Sequence, residues 1–300
     1  MDDAPHSLKN YRYVSRRRRT KEGKRFVTGA GKFMQDVRLP EVKHVAVLGS
    51  PHPRARILSI DTSEALKMPG VHAVVTGEEI AAATEPLFQG LDIPKVRWYP
   101  LAHQLTRYAG EWVAAVCADS RALAEDAVET IAVQYEPLEA IIDPEEALKP
   151  GAPLVHPDHG TNLLYTGNFV WGPVDEDFAA AKHKLKFRTR WGRSATVPIE
   201  TYGALARWDR GTEILDVWAS IQMTNFAEQL ARSLRIPSNA VRLNQDVDVG
   251  GSYGTKRGMK HTILVSYLSR KLGLPVRLVE DRLENMAAGD SHGPYRIFDI

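Results

Sequence analysis

The chain has 300 residues and a mass of 33.4 kDa, room for one large domain or two ordinary ones. With 43% hydrophobic and 25% charged residues, it is too apolar for a disordered tail and too mixed for a collagen-like or coiled-coil chain. Its 39 Lys and Arg against 37 Asp and Glu leave a net charge of +2, which supplies no general field for gripping a nucleic-acid backbone.

The first 24 residues, MDDAPHSLKNYRYVSRRRRTKEGK, contain no apolar h-region. Arg16 to Arg19 are followed by Thr20-Lys21-Glu22-Gly23-Lys24 where a twin-arginine export signal needs an apolar segment, so residues 1–24 read as a solvated basic arm. No apolar run approaches the roughly 18 residues of a membrane span, and the expected location is cytoplasmic. Strands are expected at Val45–Leu48 and Ala55–Ile60, then a short helix over Asp61–Met68 stopped by Pro69-Gly70, then a strand at Val71–Val75. Val113–Ala118 reads as a buried strand with Cys117, the sole cysteine, inside it; one thiol allows neither a disulfide framework nor an iron–sulfur cluster. Asp119 is the expected N-cap of a helix carrying Leu123, Ala127 and Val128, and Ile131–Tyr135 returns as a strand.

Asp143-Pro144, Lys149-Pro-Gly151, Pro153, Pro157 and Gly160 break the pattern and mark a linker over 146–164. Beyond it, strands are expected at Leu185–Trp191, Gly203–Trp208, Ile214–Ala219, Ala240–Leu243 and Val276–Val279. Helices are expected at Asn225–Leu234 and Met259–Leu272, the second with Met259, Ile263, Leu264, Tyr267 and Leu268 on one face and a stop at Gly273. Tyr295–Ile300 reads as one more strand, expected to be an unpaired edge or to be completed by a partner.

The strongest local signal is Asp246-Val-Asp-Val-Gly-Gly-Ser-Tyr-Gly-Thr-Lys256, a small-residue loop between a strand and a helix. Glycines let backbone approach a ligand and adopt positive φ, although such a turn is equally consistent with a purely structural role. The spacing fits neither a Rossmann fingerprint nor a P-loop. Lys256 and Arg257 read either as facing a bound phosphate or as a solvated first helical turn. His103, His156 and His292 have no partner at a metal-ligand spacing and read as core or surface histidines.

From about Arg25 onward the chain resembles the large molybdenum subunit of the xanthine oxidase and aldehyde oxidoreductase family. Lys24–Asp36, Ser50-Pro-His-Pro-Arg-Ala-Arg-Ile57, Pro69-Gly-Val71, Tyr108–Val116 and Val133–Leu138 carry the resemblance in the first half, Trp218–Asn225 and Gly250–Gly254 in the second. It implies an α/β (α+β) architecture: a hammerhead-type domain over 25–145, then a partial molybdopterin-binding domain over 165–300 that another subunit completes. It implies molybdenum–molybdopterin as cofactor, in mono- or dinucleotide form. It further implies that Gln222 donates to an oxo ligand and that Gly250, Gly251, Ser252, Tyr253 and Gly254 lie against the pterin. An amide N–H suits that place because it steadies an oxo group without competing as a ligand. Ser252 and Tyr253 replace the family's Gly and Phe, adding two hydroxyls where substrate is expected; Tyr253 reads as packing or as a substrate contact. Val197-Pro-Ile-Glu-Thr-Tyr202 is similar to the segment with a glutamate beside the substrate channel, so Glu200 reads as a direct site residue or a structural one.

The implied function is that of one subunit in a multi-chain molybdenum oxidoreductase for aldehydes, N-heterocycles or similar small molecules. A glutamate general base would come from another chain, and [2Fe–2S] clusters and FAD would sit on partner subunits. Two further readings stand: hydration or alcohol dehydrogenation of cyclic enones or alcohols with the same cofactor, and a non-catalytic scaffold subunit.

Overall fold

The computed structural model describes residues 19–87, 96–223, 225–287 and 295–300. His292 and most of the basic arm lie outside them. The chain divides into two units at Lys32 and Phe33. In the first, the described residues form one short helix, α1 (Gly23–Val27), whose end is closed by the Thr28 hydroxyl donating to Lys24 O at 2.9 Å.

In the second unit, β1 (Lys43–Gly49), β2 (Ala55–Asp61), α2 (Ser63–Lys67), β3 (Val71–Thr76) and α3 (Gly77–Ala83) come first. β4 (Leu105–Thr106), β5 (Trp112–Ala118), α4 (Arg121–Glu129), β6 (Ala132–Pro137) and α5 (Pro144–Ala147) follow. Then come α6 (Val174–Ala180), β7 (Arg188–Trp191), β8 (Gly203–Asp209), β9 (Ile214–Ala219), α7 (Phe226–Leu234) and β10 (Val241–Leu243). The described elements end with α8 (Lys260–Leu272), β11 (Val276–Val279), α9 (Arg282–Ala287) and β12 (Arg296–Asp299).

Seven strands form one sheet in the order β10-β9-β8-β11-β1-β5-β3, so strands from both halves of the chain share it. The junction is the parallel pair β1 and β11, with Lys43 opposite Val276 and the Lys43 N–H donating to Pro275 O at 2.8 Å. β5 is buried along its whole length. Alternation sends Ala115 and Cys117 to a core built with α7 and α8, and Ala114, Val116 and Ala118 to a core built with α2 and α4. Small residues at Ala114, Ala118, Ala124 and Ala127 let α4 lie close to the sheet. On the α8 side, Phe226, Leu230, Ile263, Leu264 and Leu268 are fully buried, each worth about 1.5–3 kcal/mol of transfer free energy. A smaller sheet, β4-β2-β6, stands beside the large one. No helix among the described residues is long and apolar enough to cross a membrane.

Several local expectations need correction. Ser120, not Asp119, caps α4, its Oγ accepting from Leu123 N at 3.2 Å. Asp119 instead meets Lys43 Nζ at 2.6 Å and His72 Nε2 at 2.7 Å, hydrogen bonds that lower its carboxyl to about 2. α8 is buried around most of its circumference, with Thr262, Val265 and Ser266 inside as well as the expected face. The last strand is paired within the chain: β12 runs antiparallel to β7, Arg296 opposite Trp191 and Asp299 opposite Arg188. That pairing joins residues more than 100 positions apart, which no local pattern reports. α3 lies outside the expected elements; it starts at Gly77, where a Cβ would fall 1.8 Å from Ala102 O and only glycine fits.

Burial raises the Cys117 thiol to about 12. The native protein is therefore expected to show no thiol reactive toward a disulfide reagent at pH 8, and one per chain after denaturation in guanidinium. Labelling of the native state at the denatured rate would contradict this packing.

Candidate functional site

The site grows from two strand ends. β8 and β9 pair antiparallel, Ala204 opposite Ala219, and Ser220 closes their end by exchanging bonds with Gly203: Ser220 N donates to Gly203 O at 3.1 Å and Gly203 N to Ser220 Oγ at 3.2 Å. Gln222 lies two residues further on, its backbone N–H donating to Lys256 O at 3.2 Å. β10 pairs parallel with β9 and feeds the loop through Asn244, whose N–H reaches Val217 O at 2.8 Å. The order of strands thus brings the end of β9 and the loop after β10 to the same end of the sheet.

The loop is shaped by its glycines. Gly251 and Gly254 have φ of 92° and 101°, and a Cβ on Gly250 would stand 2.6 Å from the Glu200 Cβ. Tyr253 has φ of 51°, a conformation that costs a side-chain-bearing residue roughly 1–2 kcal/mol. It is held there by Thr255, whose N–H and hydroxyl both donate to Ser252 O, at 3.1 and 2.8 Å. The Tyr253 side chain is 62% exposed.

Gln222 is oriented by this loop. Its Oε1 accepts from the Ser252 hydroxyl and from Gly254 N at 3.3 Å, while its Nε2 has no protein partner among the described residues. An amide held by its oxygen presents two N–H donors in a set direction. The Ser252 hydroxyl, expected near substrate, donates to Gln222.

Glu200 anchors the loop from below. Its carboxylate accepts from Gly250 N at 2.7 Å, Lys256 Nζ at 2.7 Å and Met34 N at 3.4 Å, while its own N–H donates to Gly250 O at 3.2 Å. A parallel bridge between Phe33 and Asp248 ties the same segments. Lys256 departs from both expectations: its side chain is 0% exposed, neither facing outward toward a phosphate nor solvated. Burial lowers its ammonium pKa, and the Glu200 carboxylate opposes that shift. Arg257, by contrast, is exposed. Nothing local marks Lys256 or Met34 as loop anchors, because Met34 and Glu200 lie 166 residues apart.

A second buried network supports the first. Tyr202 Oη donates to Gly258 O at 2.6 Å, and its ring lies 4.0 Å from that of His261. His261 Nε2 and Glu280 Oε1 are 2.6 Å apart, both side chains being 1% exposed, and Asn285 Nδ2 donates to Glu280 Oε2 at 2.8 Å. Burial alone would raise the Glu280 carboxyl; His261, Lys260 and Asn285 outweigh it and bring it to about 2. Among the described residues no group of three His, Cys, Asp or Glu side chains is placed to hold a metal ion. His103 and His156 lie away from this site, lining a separate cleft.

Two predictions come from these pairs. Replacing Glu200 by Ala strands a buried ammonium and should cost roughly 3–5 kcal/mol in chemical denaturation, with much of it recovered in a Glu200→Leu, Lys256→Met double variant. An unchanged midpoint in the single variant would remove Glu200 from this role. Glu280 has a folded pKa of about 2 against an ordinary 4.5. Its stabilisation is therefore complete above pH 4.5 and disappears as pH falls toward 2, a slope that Glu280→Gln should flatten in acid-unfolding curves.

Residues 28–139 match the family described as aldehyde oxidase and xanthine dehydrogenase, a/b hammerhead domain, and residues 155–298 match the molybdopterin cofactor-binding domain. The chain is 34% identical over 273 residues to the nicotine 6-hydroxylase large subunit of Paenarthrobacter nicotinovorans, covering 89% of this chain and 33% of that protein. Quinoline 2-oxidoreductase from Pseudomonas putida 86 superimposes with a TM-score of 0.74 at 35% identity, over 88% of this chain and 34% of that one. CO dehydrogenase from Oligotropha carboxidovorans gives 0.77 at 31% identity, over 89% and 35%. The chain thus spans about a third of the length of the relatives it matches. With both domain matches in chain order and the same fold across nearly all of its length, the chain belongs to the aldehyde oxidase and xanthine dehydrogenase family of molybdopterin-binding large subunits.

Proposed function

We propose that this chain forms one face of the molybdenum–molybdopterin site in a multi-subunit hydroxylase or dehydrogenase acting on a small N-heterocycle, aldehyde or similar molecule. The observation that carries the reading is Gln222, whose amide oxygen is held by Ser252 and Gly254 while its Nε2 donors have no protein partner among the described residues. The fit is chemical: a fixed neutral N–H pair suits an oxo group, and glycine backbone at Gly250, Gly251 and Gly254 lets a flat pterin lie close. When bound, the cofactor supplies two-electron oxidation of the substrate. Gln222 would steady it, the Gly250–Gly254 backbone would seat the pterin, and Tyr253 would meet the substrate.

Glu200 is best read as a positioning residue. Its carboxylate already accepts three donors, which leaves little capacity for moving a proton. The general base would come from polypeptide outside these 300 residues, as would the rest of the cofactor-binding region begun over 165–300. An iron–sulfur subunit and an FAD subunit would carry the electrons away. The N-heterocycle assignment draws on relatives named for nicotine and quinoline.

The test is to isolate the chain from its host with the subunits that accompany it and measure molybdenum, pterin and turnover on the same sample. Gln222→Ala should leave subunit composition and stability unchanged while lowering turnover about 100-fold or more, as for loss of one charge-stabilising donor. Loss of assembly without a specific rate defect would favour a scaffold, and a stable assembly without molybdenum would remove the proposal.

A further inference from the structure

A cleft of about 850 Å³ opens beside the three-stranded sheet and α3, away from Gln222 and the Gly250–Gly254 loop. Four arginines line it, Arg54, Arg56, Arg97 and Arg107, with His103 and His156, against two carboxylates, Glu78 and Asp158. In a chain whose net charge is only +2, four guanidinium groups around one cleft are a local concentration.

Two of the cations are fixed in advance. Arg54 donates to Glu139 O at 3.1 Å and Leu154 O at 2.9 Å, contacts that orient the guanidinium without neutralising it. Arg107 donates to Leu105 O at 3.1 Å and to the buried Glu111 carboxylate at 3.4 Å. Arg56 and Glu136 meet at 3.3 Å with side chains 60% and 49% exposed, a screened pair worth ~0–1 kcal/mol that an incoming anion can replace. Arg97 is exposed and makes no hydrogen bond or ion pair among the described residues. Glu78 and Asp158 are both exposed, so water and salt screen them more than the half-buried Arg54 and Arg107. Burial and the Arg107 charge hold His156 down to about 4, so its neutral ring both donates and accepts at neutral pH. Ile57, Leu105 and Leu138, with the ring of Tyr99, supply apolar wall.

We infer that this cleft binds a phosphorylated organic anion of nucleotide size, with Arg54, Arg97 and Arg107 on the phosphate and Tyr99 and Leu138 against the organic part. Guanidinium forks match phosphate oxygens two at a time, and several around one cleft suit a group with several oxygens better than a lone carboxylate. The volume lies within the roughly 300–1,000 Å³ range of small-molecule sites. Because two of the cations are held before binding, little side-chain freedom is lost on association.

Calorimetric titration of the full chain, with its accompanying subunits, in 0.15 M NaCl tests this using inorganic pyrophosphate, AMP and adenosine as probes. Pyrophosphate and AMP should each bind saturably with one site per chain, and adenosine should not. Arg97→Gln removes no hydrogen bond or ion pair among the described residues and should weaken AMP by about tenfold or more, the loss of a charge-assisted contact. Arg54→Gln should weaken it as well, while Arg242→Gln, exposed on β10 and outside the cleft, should leave it unchanged. No saturable binding of pyrophosphate or AMP at millimolar concentration overturns the inference. Equal loss in Arg97→Gln and Arg242→Gln does the same, by showing only diffuse charge. Binding of hexaglutamate where both phosphates fail would assign the cleft to an acidic protein segment. None of these readouts depends on molybdenum content, so the outcome is independent of the proposed activity.

Discussion

A carboxylate and an ammonium withdrawn from water are tolerable only as partners, and Glu200 and Lys256 are held to each other at 2.7 Å with side-chain exposures of 9% and 0%. That constraint organises the site. Lys256 closes the loop's far end, Gly250 N–H binds the same carboxylate near its start, and Met34 N–H brings in a third segment. With both ends pinned, Gly251, Tyr253 and Gly254 take their left-handed conformations, and the turn they form carries the Ser252 hydroxyl and Gly254 N–H to Gln222. The proposed cofactor contact is thus the outer end of a chain of fixed groups whose inner end is an ion pair.

The sheet makes the ion pair durable. Lys256 precedes α8 by a few residues, and α8 is packed into the centre of the large core. The His261–Glu280 pair and the Tyr202 bond to Gly258 O lie at the start of the same helix, so two buried polar networks hold one helix end. Buried charges cost desolvation, and such networks persist where their partners are held rigidly; α8, β8 and β11 provide that rigidity. A loop on this footing is suited to presenting backbone to a large, flat ligand.

Much of the fold was legible locally. The wholly apolar run at 113–118 announced a central strand with Cys117 buried, and that strand is the most buried of the sheet. α8 ends where Gly273 stops it in a left-handed conformation, as its turn chemistry predicts. The Gly250–Gly254 loop is marked by its small residues and Gln222 by the family resemblance alone, and the structure brings them together. Local reading failed where a choice between neighbours depended on something distant. Asp119 and Ser120 are both good caps, and Ser120 takes the place because Lys43 and His72, from other strands, claim Asp119.

Lys256 shows the limit more sharply. In a Gly-rich turn ahead of a helix it looks like a ligand-facing or solvated cation, and only the arrival of Glu200 from 56 residues upstream buries it. The final strand is similar: its pairing with β7 spans over 100 residues, and nothing within Tyr295–Ile300 encodes that partner. Periodicity, turn residues and family phrases act over a few bonds, so the sequence by itself determined most of the strands and the longer helices, the central buried strand, the family and the residue types of the site, but not short elements such as α3, α5, α6, α9 and β4. Which buried charges meet, which strands from the two halves share a sheet, and which arginines gather around a cleft were decided by the tertiary structure. Those outcomes depend on desolvation and on contacts between segments that only packing brings within reach.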